Sequence, residues 1–182
     1  DRAYASILAL ESEVMFGWLV RAVHHWAANF LVVTAFLHLV RVFLTGSFKK
    51  GRFANWLIGI GLLLIVLVFN FTGYLLPWDQ LSYWAVTVVT SMIDYVPVVG
   101  ATISRWVLGG AHEVGQGALV NFYALHVAVL PGLMFAALGY HFWKVRKDGG
   151  ISQPELPEGK VEAKVSTIPH LTQIEFAALA VV

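Results

Sequence analysis

The chain of 182 residues contains no cysteine. That excludes disulfides, thiolate metal sites, iron–sulfur ligation and thioether-tethered haem within these residues. Charge is scarce as well. Asp, Glu, Lys and Arg make up 13% of the chain and leave a net charge of +1, so there is no broad basic face for nucleic acid. No basic, apolar leader opens the chain at Asp1-Arg2-Ala3-Tyr4. The start without methionine and the end within an apolar run, Phe176 to Val182, read as the ends of a piece of a longer protein.

Apolar bulk is what the sequence has in excess. Hydrophobic residues form 58% of it, with seven tryptophans and twelve phenylalanines. A helix needs ~20 apolar residues to cross a bilayer, and three runs meet that length. The first runs roughly from Ala22 to Leu44 and stops at the loop TGSFKKGRF. The second, Asn55 to Leu76, holds no charge and closes at Pro77, which lacks an amide donor. The third runs roughly from Ala118 to Phe142 and ends in KVRKDGG.

The remaining segments fall around these spans. Residues 1–20 mix Glu11 and Glu13 with apolar positions and suit an interfacial amphipathic helix. Leu81 to Ile93 and Ala101 to Leu108 suit two short helices joined by YVPVVG and stopped at Gly109-Gly110. Residues 151–169 are polar and proline-rich, which marks a linker, and residues 170–182 read as the start of a further span. The expected fold is an all-α membrane protein, a transmembrane bundle with short interfacial helices. Seven of the twelve Lys and Arg are Arg41, Lys49, Lys50, Arg52, Lys144, Arg146 and Lys147. With three spans they share one face, and the positive-inside rule makes that face cytoplasmic.

Histidine is the only metal ligand of intermediate softness on offer. His24 and His38 stand 14 residues apart on the first span, close to four helical turns and ~21 Å along the axis. His126 and His141 repeat the pattern on the third span at 15 residues, with a modest angular offset. The first and third spans run in the same direction. His24 is therefore level with His126 near the outer face, and His38 with His141 near the inner face. Two facing pairs stacked across a bilayer suit two bis-imidazole haem irons held between parallel helices.

Ionisable side chains within the membrane mark functional sites by default, although a single one is more often packed or hydrogen-bonded than ligating. His25, His112 and His170 have no partner at matching spacing. On the second span, Gly59 and Gly73 are again 14 residues apart and would let a flat macrocycle approach the backbone. Small-residue helix packing would explain them equally well. Arg21 and Arg41 lie one turn outside His24 and His38, where guanidinium can pair haem propionates or simply snorkel to the interface.

RAVHHW and FLHLVRVF on the first span, FTGYLLPWDQ closing the second, and YVPVVG in the connection form an ordered set with FYALHVAVLPG and YHFWKVRK on the third. From residue 1 to about 150 this set resembles the N-terminal, dihaem half of cytochrome b from the quinol-oxidising bc-type complexes. Within that family the 15-residue spacing, LPWDQ and the FKK loop look closer to the split chloroplast and cyanobacterial type. The resemblance implies two b haems, the low-potential one on His24 and His126 and the high-potential one on His38 and His141. It also implies quinol oxidation at the outer face, beside Trp84, Val88 and YVPVVG, and quinone reduction near Arg41 and Arg146.

By the same resemblance the partners are a Rieske iron–sulfur protein, a c-type cytochrome or plastocyanin-like acceptor, and the C-terminal part of cytochrome b. The whole would be a homodimeric complex in the bacterial cytoplasmic membrane. The split type also carries an extra covalent haem on a helix preceding the first span. Asn70, His25 and His112 depart from the family pattern. Two other readings fit histidine pairs in apolar helices. One is a dihaem anchor of a dehydrogenase or hydrogenase, which lacks the GYLLPW closure and the outer helix pair. The other is a transporter or assembly protein whose histidines pack or relay protons without haem.

Overall fold

The computed structural model describes residues 2–49 and 51–150 and the single positions 169 and 173. Apart from those two positions, the expected linker and further span lie outside the described residues. Every regular element among the described residues is helical.

Helix α1 (Arg2–Glu13) ends before a turn in which Phe16 takes a left-handed backbone, φ 61°. Helix α2 (Gly17–Leu44) follows at once, so the first span begins earlier than Ala22. Gly17 permits this elbow, because a side chain there would drive into the carbonyl of Leu10. An ion pair from Arg21 to Glu11 braces the same elbow. Helix α3 (Phe53–Leu75) is the second span.

The turn after α3 uses the sequence Pro77-Trp78-Asp79. Trp78 adopts φ 56°, and the Asp79 carboxylate caps α4 (Gln80–Asp94) by accepting from the amide of Ser82 at 2.8 Å. A short loop leads to α5 (Gly100–Val107). Helix α6 (Gln116–Ala124), a π-turn (Leu125–Val129) and α7 (Leu130–Lys147) then form one continuous rod, the third span.

Three helices, Gly17–Leu44, Phe53–Leu75 and Gln116–Lys147, are long and apolar enough to cross a membrane. Most of their large apolar side chains are exposed in the isolated chain and suit a surface solvated by lipid. Among the described residues Val66 and Leu130 are buried separately along the spans, while the buried hydrophobic cluster lies at the α4–α5 end. Leu75, Val86, Leu108, Val114, Ala118 and Phe122 meet there, so the α4–α5 pair is seated on the end of α3 and the start of α6. At the opposite end Arg52 donates to the carbonyls of Asp148 and Gly150, both at 2.6 Å. That clamp ties the first inner loop to the end of the third span.

Helix α3 packs against both α2 and the α6–α7 rod, while among the described residues the backbones of α2 and the rod stay apart. The result is a cleft with α3 as its back wall.

Candidate functional site

Both histidine pairs lie in that cleft. The rings of His24 and His126 face each other with centroids 6.1 Å apart and planes at 82°. His38 stands close enough to His141 for the two imidazoles to interact electrostatically. His24 thus faces His126, and His38 lies near His141. His25 points elsewhere, toward Asn29 at 3.3 Å, and His112 is exposed in the outer connection. His170 lies outside the described residues.

The sequence left one discrepancy between the two spans. At about 100° per residue, 14 residues fall 40° short of four turns and 15 fall 60° past them. The π-turn resolves it. Pro131 has no amide to donate to Val127, and the amide of Leu130 reaches back five residues to the carbonyl of Leu125. One extra residue is absorbed in that turn, and His126 and His141 regain the register of His24 and His38. The spacing was visible in the sequence; its compensation was not, although a proline five residues after a histidine is the signal that could have shown it.

Helix α3 orients the rings from behind. The Nδ1 of His126 lies 3.1 Å from the Phe69 carbonyl and 3.2 Å from the Thr72 hydroxyl. A carbonyl can only accept, so Nδ1 carries the proton and Nε2 keeps its lone pair for a ligand. Gly73 makes this approach possible, since a Cβ there would sit 2.6 Å from Cε1 of His126. Gly59 takes the same place against His141, with a looser 3.6 Å. Gly73 thus admits an imidazole to the α3 backbone, while a side chain at Gly59 would make ordinary contact with His141.

The donor set decides what these pairs can hold. Among the described residues there is no cluster of three or more His, Asp or Glu side chains suited to a metal ion. A two-imidazole site must take a metal that brings its own equatorial ligands. Metal–imidazole bonds are ~2 Å and a ring centre lies roughly 1 Å behind its nitrogen, so two rings on one metal stand about 6 Å apart. The 6.1 Å separation of His24 and His126 fits a haem iron.

The remaining expected residues are distributed as follows. Arg21 is engaged by Glu11 through Nη1. Arg41 in the last turn of α2 and Arg146 in the last turn of α7 are exposed at the inner end. Trp84 and Val88 share the exposed face of α4, opposite the buried Ser82, Val86 and Thr90. Asn70 is satisfied within its own helix, donating to the Val66 carbonyl at 3.0 Å. The sequence reading missed Thr72 and Phe69, whose role depends on which face of α3 meets the third span.

Comparison with known proteins agrees with this architecture. The family model for cytochrome b/b6/petB matches residues 1–149. The chain is 46% identical over 152 residues to cytochrome b6 of Acaryochloris marina, covering 84% of this chain and 70% of that protein. It is 47% identical to cytochrome b6 of Pyropia yezoensis, with the same coverage. A solved structure, described as hyperthermophilic respiratory Complex III, superposes with a TM-score of 0.80 at 31% identity. That match takes in 97% of this chain and 48% of the other, so the chain spans about half its length.

Three membrane-length helices together with these relatives place the chain among membrane electron-transport proteins. The chain belongs to the cytochrome b/b6 family, and it is similar to the N-terminal part of a cytochrome b of the quinol-oxidising bc type. Membership in that family implies binding of haem b.

Proposed function

We propose that this chain is the dihaem, electron-carrying part of a quinol:acceptor oxidoreductase. His24 and His126 would hold the outer haem, and His38 and His141 the inner one. The observation that carries the reading is the pairing of His24 with His126 at 6.1 Å in a cleft walled by α2, α3 and the α6–α7 rod. Two b haems so held supply one-electron carriers at two depths of the membrane. The chain's own residues position them. The Phe69 carbonyl fixes the tautomer of His126, and Gly73 lets its imidazole reach α3. Arg41 would offer its guanidinium to a propionate at the inner end, and Arg21, held by Glu11 through Nη1, would offer its remaining N–H groups at the outer end.

Quinol oxidation is assigned to the outer face beside Trp84, Val88 and the YVPVVG loop, and quinone reduction to the inner face near Arg41 and Arg146. The exposed apolar face of α4 and the exposed inner arginines support those two placements. One electron would go to a Rieske iron–sulfur protein and then to a c-type cytochrome or plastocyanin-like acceptor. The other would cross the membrane, in a Q-cycle. The C-terminal part of cytochrome b would complete the outer pocket, within a homodimeric complex of the bacterial cytoplasmic membrane.

The test is a reduced-minus-oxidised visible spectrum with a pyridine haemochrome count on the purified complex. Two b haems for each copy of this chain are expected. His38→Ala should remove one and leave the other. Unchanged haem content in that variant would overturn the pairing.

A further inference from the structure

The two imidazoles that rest on α3 are held differently, although α3 repeats itself behind them. Gly59 and Gly73 are 14 residues apart, as are Asn55 and Phe69, whose backbones face His141 and His126 respectively. The side chains around the two glycines differ, and one difference bears on the imidazoles. Thr72 has Ile58 as its counterpart, and only threonine brings a hydroxyl.

The geometry around Thr72 is specific. The residue is 2% exposed, and its hydroxyl donates along the helix to the Val68 carbonyl at 2.9 Å. With its single proton directed to Val68 or to the Phe69 carbonyl at 3.1 Å, the oxygen turns a lone pair to Nδ1 of His126 at 3.2 Å. The Nδ1–H of His126 is therefore shared between two acceptors, Thr72 and the Phe69 carbonyl. Among the described residues, Nδ1 of His141, buried against the Asn55 backbone, has no hydrogen-bond partner of normal geometry.

We propose that Thr72 is a positioning residue that makes His126 the stronger axial ligand and so holds the outer haem at a lower potential than the inner one. Acceptors on the far nitrogen of a ligating imidazole pull its proton away and raise the basicity of the ligating nitrogen. A more basic ligand stabilises the ferric over the ferrous iron, and hydrogen bonding around the axial ligand is one of the protein's levers on haem potential. The direction matters, because a low outer and a high inner potential drive an electron inward across the membrane. In this chain the gradient is built partly from one hydroxyl on a helix that ligates nothing.

This inference rests on the proposed haem ligation. It is tested in membranes holding the full-length complex, by redox titration of the two b haems in wild type, Thr72→Val and Thr72→Ser. Valine keeps the shape and removes the acceptor; serine keeps the acceptor. The expected result is a rise in the outer-haem potential in Thr72→Val, an unchanged inner haem, and a return toward wild type in Thr72→Ser. An outer potential that does not move, or a shift shared equally by both haems, overturns the proposal. Loss of the outer haem in both variants overturns it too, since Thr72 would then act by packing alone. A wild type without two b haems would fail at the earlier step, the ligation itself, and so is told apart from these results.

Discussion

A methyl group added at Gly73 would stand 2.6 Å from Cε1 of His126, whereas one added at Gly59 would meet Cε1 of His141 at an ordinary 3.6 Å. The two glycines look equivalent in the sequence, and spacing alone offers no reason to rank them. The structure ranks them by about an ångström. The His126 ring cannot retreat freely, because the Phe69 carbonyl and the Thr72 hydroxyl hold its Nδ1. Overpacking of this kind costs about 1–3 kcal/mol, and here it falls on a ring that must keep its aim. Gly73→Ala is expected to lose most of the outer haem, while Gly59→Ala keeps both. A haemochrome count with a redox titration reads the difference. Equal haem content in the two variants would show that the imidazole–backbone contact does not constrain the site.

Among the elements, the three spans and the α4–α5 pair were legible because each has a long apolar run or clear stop signals. Pro77, Gly109 and Gly110 punctuate the chain where the helices end. The four histidines stand out by their spacing, but helical pitch alone leaves the third-span pair about 100° out of register with the first. The π-turn at Leu125–Val129 was not legible, because a π-turn and an α-turn share one apolar pattern and differ only in which carbonyl an amide reaches. The start of α2 was set too late because the left-handed Phe16 and the contact of Gly17 with Leu10 are tertiary features. The register argument makes a prediction for the rod. Deleting Ala128 together with Pro131→Ala should convert the π-turn into plain α-helix at 14-residue spacing, with both haems retained. Deleting Ala137, in the regular α7 segment, should rotate His141 by about 100° against His126 and lose at least one haem. The outcome that sinks this account is equal haem loss in the two deletions.

The molecule as a whole is sorted by end. Its small buried core, α4, α5 and the outer histidine pair lie at one end; Arg41, Lys49, Arg52, Lys144, Arg146 and Lys147 lie at the other. This sorting was readable from the charge pattern, whereas the Arg52 clamp on Asp148 and Gly150 was not, since it joins residues far apart in the chain. A bias in where cations can be left during insertion, which keeps Lys and Arg on the cytoplasmic side, would turn the charged end inward. Quinol chemistry at the outer face and an inward electron path both depend on that orientation being correct. Because the chain has no cysteine, it can be mapped against a silent background. Single cysteines at Glu113→Cys in the outer connection and Lys49→Cys in the inner loop, both exposed, suit a membrane-impermeant thiol reagent. In intact cells Glu113→Cys should label and Lys49→Cys should not; after the membrane is opened both should label. If the pattern were reversed, the haem pairs would still stand level in the cleft, but the outer and inner assignments would exchange. If both positions labelled from one side, α3, the span that lies between them, could not cross the membrane, and the parallel pairing of α2 with the α6–α7 rod would fall with the topology.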